Sequence, residues 1–323
     1  MRRRENIFKN MKYRTLGRTN FSVSEIGFGA WAIGGNQFGN SYGTTKDSES
    51  IESLRNAIDL GCNFIDTADV YGHGHSEELI GKALEGIRKE IIIATKVGGD
   101  FYHSPSRSNF DAGYIRFALE NSLKRLNTDY IDLYQLHNPP LHLIQDADVF
   151  NVLYKLKKEG YIRAIGLSIF DPTEGIAAIR NDSIDCIQVV FNIFNRQAAK
   201  NLFPLAKENN IGIIAREPLN NGILTGKFSG DEYFEDGDIR SKWSQKHFQH
   251  LVNFTQSLNN LLKTEDRSLS QTAIQFVLAQ WAVSTVIPGM KTADQVKENL
   301  RSIIQKPMTE EEQRIIIQHL MHK

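Results

Sequence analysis

Cysteine is nearly absent from this chain: two residues in 323, Cys62 and Cys186. Two thiols, each beside an apolar run, cannot build a disulfide framework; they read as reduced core residues of a cytoplasmic protein. Long apolar runs are missing too. No stretch reaches the ~20 residues that a membrane-spanning helix needs, so no membrane partner is expected. Neither sign of charge is in excess, since 38 Lys and Arg balance 38 Asp and Glu. A basic footprint of the kind that grips nucleic acid is therefore lacking. Pro- and Gly-rich linkers are lacking as well, which argues against separate domains. The one basic cluster, Arg2-Arg3-Arg4 with Lys9, is followed by neither an apolar segment nor a cleavage pattern. Residues 1–10 thus read as a disordered, solvated leader and not as a targeting signal.

What is present is alternation. Short apolar runs recur along the chain: Glu25-Ile26-Gly27-Phe28, Asn63-Phe64-Ile65, Ile91-Ile92-Ile93-Ala94, Ile131-Asp132-Leu133-Tyr134, Ala164-Ile165-Gly166-Leu167, Ile187-Gln188-Val189-Val190, Ile211-Gly212-Ile213-Ile214 and Ser284-Thr285-Val286-Ile287. Between them the apolar spacing changes to about 3.6 residues. Ile51, Leu54, Ala57 and Ile58 make one stripe; Ile115, Ala118, Leu119, Ser122 and Leu123 make another; Leu153, Tyr154 and Leu156 line a third helix that stops at Gly160. Ser268 with Gln271, Thr292 with Gln295, and Thr309 with Glu312 have the spacing of capping boxes. Eight strand–helix units in one uninterrupted series predict an α/β fold, a single closed (β/α)8 TIM barrel over residues 11–323. Two segments stand outside the series. Residues 11–24 read as an N-terminal β-hairpin. Residues 228–265 are an extra loop after the seventh strand, with a helix over 247–262.

A barrel of this kind builds its site at the C-terminal ends of its strands. Those positions carry Asp66, Thr67, Asp69 and Tyr71, then Thr95 and Lys96, His137, Ser168, Gln188, and Arg216 with Glu217. Any one of them alone is as well explained as a loop cap or a satisfied core residue. An Asp, a Tyr, a Lys and a His at successive strand ends are not. Tyrosine titrates near 10 in water, and an adjacent ammonium lowers that value. An Asp would hold the Lys, and a His would hydrogen-bond the oxygen that the Tyr protonates. This is apparatus for protonating a developing alkoxide, which implies hydride arriving at a carbonyl carbon. Side chains do not supply hydride, so a nicotinamide cofactor is required.

At these residues the sequence resembles the aldo-keto reductase superfamily, and within it the subgroup of microbial reductases and potassium-channel β-subunits. The segments that carry the resemblance are Phe64-Ile65-Asp66-Thr67-Ala68-Asp69-Val70-Tyr71-Gly72, Ala94-Thr95-Lys96, Asp129 to His137, Gly166-Leu167-Ser168, Ala215 to Lys227 and Ile287-Pro288-Gly289. The match runs from about Tyr13 to Asn299. It implies Asp66, Tyr71, Lys96 and His137 as catalytic residues and NADP (NADPH) as the cofactor. Pro288-Gly289-Met290-Lys291 leads into a helix capped by Thr292, a ready anion site. The resemblance puts the 2′-phosphate there, with Lys291, Gln295 and Asn299 as ligands and Glu298 at the ribose or adenine. It also implies Ala30 and Trp31 near the substrate, Asp66, Ser168 and Gln188 around the nicotinamide, and Pro218, Leu219, Lys227 and Arg240 along the pyrophosphate. A Gly-rich dinucleotide fingerprint is missing, so a Rossmann domain is not implied.

Two positions depart from the family pattern. Ile169 stands where the family carries an Asn that bonds the carboxamide, and Arg216 where an aromatic ring stacks on the nicotinamide. Asp69, His73, His75 and His103 do not have the spacing of a metal site, and no metal is expected. The substrate is expected to be a small-molecule aldehyde or ketone, sugar-like carbonyls included, in a site lined by Trp31, Tyr71, Phe101, Tyr102, Asn138, Phe170 and the loops 36–44 and 228–243. The chain would act as a monomer or a simple homo-oligomer. Two rivals remain open: a cofactor-binding, redox-sensing regulatory subunit with little turnover, and a barrel lyase or isomerase that binds no nicotinamide. NADPH oxidation with a panel of aldehydes separates them.

Overall fold

The structure, a computed structural model, describes residues 11–38, 41–262 and 266–321; the basic leader 1–10 lies outside the described residues. Eight parallel strands form one sheet: β1 (Phe28–Gly29), β2 (Phe64–Asp66), β3 (Ile92–Val97), β4 (Ile131–His137), β5 (Ile162–Ile169), β6 (Cys186–Val190), β7 (Gly212–Arg216) and β8 (Val283–Ile287). Neighbours in sequence are neighbours in the sheet. The first strand meets the last through Gly27 N to Val286 O at 2.9 Å, Val286 N to Glu25 O at 2.9 Å and Gly29 N to Pro288 O at 3.0 Å. That makes a nearly closed barrel. At this seam Gly29 has no substitute, because a Cβ would sit 2.7 Å from the Ile287 carbonyl oxygen.

Period-two alternation sorts each strand between two cores. Phe64, Ala94, Leu133, Ala164, Cys186 and Ile214 fill the barrel interior, together with Leu16 and Val23 from the N-terminal hairpin. Ile65, Ile93, Tyr134, Ile165 and Ile187 point outward into the layer shared with the helices. The hairpin, Tyr13–Thr15 against Ser22–Ser24, thus supplies apolar side chains to one end of the interior. At the other end the inward positions turn polar: Asp66, Gln135, Ser168 and Gln188.

All eight runs meet barrel strands: β5 extends four residues beyond its run, whereas of the first run only Phe28 lies within β1. Lys96 lies inside β3 and not after it, because a polar side chain on the inward face is tolerated where it meets Asp66. The stripes mostly hold, with one correction. Tyr154 is 44% exposed; Val149, Phe150, Leu153 and Leu156 are the buried face of the helix Ala147–Lys158, and the Tyr154 hydroxyl reaches the Asp182 carbonyl instead. Ser268 and Thr309 make full capping boxes. Thr292 makes half of one: its hydroxyl accepts from Gln295 N, but the Gln295 carboxamide accepts from Lys291 N at 2.7 Å. The excursion after β7 contains the helix Gln245–Leu262. Among the described residues, no helix is long and apolar enough to cross a membrane.

Candidate active site

Asp66 closes β2, and its carboxylate is the hub of the polar end of the barrel. Oδ2 accepts from Lys96 Nζ at 2.6 Å; Oδ1 accepts from Gln188 Nε2 at 2.6 Å and from Gln135 Nε2 at 3.1 Å. Lys96 uses its two remaining protons on the Thr67 carbonyl at 2.8 Å and on Tyr71 Oη at 3.1 Å. A buried ion pair of this kind survives only because both carboxylate oxygens and all three ammonium protons have partners. Gln135 was not anticipated. Its signal was available, since it alternates with Leu133 and His137 on the inward face of β4.

Tyr71 is held by its loop. The following Gly72 has φ +60, and a Cβ there would lie 2.1 Å from the Gly34 carbonyl oxygen, so the turn packs backbone against backbone. The Tyr71 ring stacks at 6.1 Å from Trp31 and meets His137 edge-on at 5.9 Å. Asp66, Tyr71, Lys96 and His137 therefore come together. One expectation is corrected. Burial raises the Tyr71 pKa and outweighs the lowering by Lys96, while the Asp66 charge raises it further. The phenol stays a neutral donor. Burial pulls Lys96 down, but Asp66 and Tyr71 together carry it above the usual lysine range. Burial, then Lys96 and Arg216, pushes His137 well below the ordinary histidine range, so its imidazole is neutral.

From Asp66 and Tyr71 a cavity of about 530 Å³ runs outward over the ends of β6 to β8. Trp31, Asp66, Gln188 and Arg216 line its inner part; Pro218, Leu219, Lys227 and Arg240 line one flank; Gly289, Lys291, Gln295, Glu298 and Asn299 line the far end. Ala30 and Ser168 are not at the cavity wall. Ala30 is buried with its carbonyl taken by Ser76 Oγ at 3.0 Å, and Gly29 and Ala32 line the cavity beside Trp31 instead. Ser168 is buried, level with His137 on one side and Gln188 on the other. Tyr42, Asn221 and Thr225 also line the cavity; they fall inside the expected segments 36–44 and 215–227, though nothing in loop composition singles them out individually. The Tyr42 hydroxyl lies 2.6 Å from Asn221 Oδ1, and its ring 5.0 Å from Trp31.

The cavity's electrostatics suit an anion. Burial and mutual repulsion with Arg240 lower the pKa of both Lys227 and Lys291, a strain that a phosphate would relieve. Lys291 Nζ meanwhile donates to the Tyr42 carbonyl at 2.6 Å, and Arg240 is paired with Asp238. Of the two departures, Ile169 turns away from the mouth into the helix layer. Arg216 is paired with Glu217 and donates to the Ile169 carbonyl at 3.1 Å. His73 stacks between Phe38 and Phe101, His103 bonds Asp100 and His75 bonds Asp47; these imidazoles go three separate ways.

A barrel with an Asp–Lys–Tyr–His cluster at its mouth and a cationic groove beside it is matched by the model of the aldo/keto reductase family over residues 25–320. The chain belongs to that family. Members bind a nicotinamide cofactor and act as oxidoreductases on carbonyl compounds. This member is 36% identical to an aldo-keto reductase of Bacillus subtilis, over 95% of this chain and 92% of that protein. It is 30% identical to the NADH-specific methylglyoxal reductase of Escherichia coli, over 91% and 94%. Among solved structures, it resembles an aldo-keto reductase of Bacillus halodurans in its holo form, with TM-score 0.80, 32% identity and 96% of each chain covered.

Proposed function

We propose that this aldo-keto reductase is an NADPH-dependent reductase of aldehydes or ketones, with Tyr71 as the general acid. The observation that carries the reading is Lys96 Nζ, which joins Asp66 and Tyr71 Oη at the inner end of a cavity whose outer part gathers Lys227, Arg240 and Lys291. The groove fits a dinucleotide: three cations for phosphates, amides and a carboxylate at the other end. When bound, the nicotinamide would supply hydride. Tyr71 would donate its phenolic proton to the carbonyl oxygen as negative charge develops there, and Lys96 would stabilise the phenolate left behind. Neutral His137 would hydrogen-bond the same oxygen and orient it. Asp66, held by two glutamines, would keep Lys96 in place.

NADPH in preference to NADH follows from Lys291 and Gln295 at the start of the last barrel helix, where a 2′-phosphate would meet an ammonium and a helix N-terminus. The Escherichia coli relative named for NADH makes this the point to test. Steady-state loss of NADPH and of NADH absorbance with a panel of small aldehydes should show turnover with NADPH and a weaker rate with NADH. Binding of either cofactor without turnover on any aldehyde would favour the redox-sensing alternative.

A further inference from the structure

The ion pair of Arg216 with Glu217 has a direction. Arg216 ends β7, yet its Nη2 reaches past β6 to the Ile169 carbonyl at the end of β5. Ser168, one residue before, is level with His137 across the β4–β5 pair. The guanidinium therefore lies towards the His137 side of the mouth, 5.0 Å from the Phe170 ring. Its charge is felt there: behind the dominant effect of burial, Arg216 lowers the proton affinity of both Tyr71 and His137. Glu217 follows with a left-handed backbone, φ 57, and its carboxylate meets Arg216 Nη1. Its charge registers at Tyr42, whose phenol is pushed up by burial and then by Glu217. Both side chains line the cavity, and Arg216 Nε is buried without a partner. The pair is a fixed dipole, positive at the reacting groups and negative toward the groove.

We propose that this dipole makes the protein discriminate between the redox states of its nicotinamide dinucleotide, holding the reduced form more tightly than the oxidised form. The inference rests on the reading of the cavity as a dinucleotide site and deepens it. An oxidised nicotinamide ring carries a positive charge that the reduced ring lacks, while the rest of the molecule is unchanged. Contacts along the groove therefore cancel in the affinity ratio. Lys96 is paired with Asp66 at 2.6 Å and Arg216 with Glu217, so the ring meets the positive end of a dipole, and a full unit charge is the difference that Arg216→Gln makes. A unit charge at roughly 8 Å through an effective dielectric of about 40 changes affinity about fivefold.

The test is a set of fluorescence titrations of NADP⁺ and NADPH into the wild type, Arg216→Gln, Arg216→Lys and Glu217→Gln. The wild type should bind NADPH more tightly. Arg216→Gln should tighten NADP⁺ about fivefold with little effect on NADPH, Arg216→Lys should keep the wild-type ratio, and Glu217→Gln should widen it. A wild type that prefers NADP⁺, or a ratio unchanged in both Arg216→Gln and Glu217→Gln, overturns the proposal. A wild type that binds neither nucleotide overturns the reading of the cavity instead.

Discussion

Lys96 Nζ lies 2.6 Å from Asp66 Oδ2, and the two side chains are 0% and 3% exposed. In so dry a place the pair holds the ammonium at a fixed point below the Tyr71 hydroxyl, and proton transfer from that phenol should depend on it.

Tyr71→Phe should therefore lower carbonyl reduction about 100-fold or more, the usual scale for a lost general acid, with NADPH binding within a few-fold. Lys96→Met should be as severe, because a phenolate would lose the ammonium 3.1 Å away and Asp66 would face an apolar side chain. Single-turnover rates at the wild-type level in either variant would remove that residue from the mechanism.

Lys291→Ala should weaken NADPH binding by about 1–3 kcal/mol, the range for a charge-assisted hydrogen bond. NADH should lose less. It has no 2′-phosphate, so it should feel only the loss of the bond from Lys291 Nζ to the Tyr42 carbonyl. Equal losses for the two cofactors, measured by titration, would mean that Lys291 serves the loop and not the phosphate.

A second buried ion pair should matter to stability. Glu77 is fully buried on the helix His75–Ala83, accepting from Arg125 Nε at 2.7 Å and Thr95 Oγ1 at 2.5 Å. Nearby Asp69 is also fully buried, its pKa raised well above the usual range by burial and then by Glu77. Arg125→Met would leave this acidic pocket without its cation and should cost about 3–5 kcal/mol in urea unfolding. Adding Glu77→Gln should recover part of that loss. An Arg125→Met protein as stable as the wild type would show that the pocket is already neutral.

The neutral state of His137 gives stability a pH dependence. Its folded pKa is depressed well below the ordinary value, so the unfolded chain binds the proton first as pH falls. The neutral form's contribution is fully present above about pH 6.5 and is lost on descending below it, at up to about 1.4 kcal/mol per pH unit until the folded pKa is reached. Between pH 7.5 and 5.5 the wild type should lose more stability than His137→Gln does. Parallel losses in the two proteins would place a cationic imidazole in the folded state.

By itself, the sequence determined the barrel and the membership of its reacting cluster. Eight apolar runs of strand length with helical periods between them allow few closed folds, and Asp66, Lys96 and His137 fall at or near strand ends that alternation turns inward. Only the tertiary structure decided how those groups behave. Gln135 and Gln188 meet on Asp66 Oδ1 from positions 69 and 122 residues away, a convergence that barrel closure creates and no local pattern announces. The proton affinity of Tyr71 rises because burial outweighs Lys96, and desolvation depends on what the whole fold packs around an atom. The directions of Arg216 and Lys291 were decided the same way. Each long side chain went to a carbonyl on another element, Arg216 to Ile169 at the end of β5 and Lys291 to Tyr42, and strand period says which face such a chain leaves from but not where its charge comes to rest.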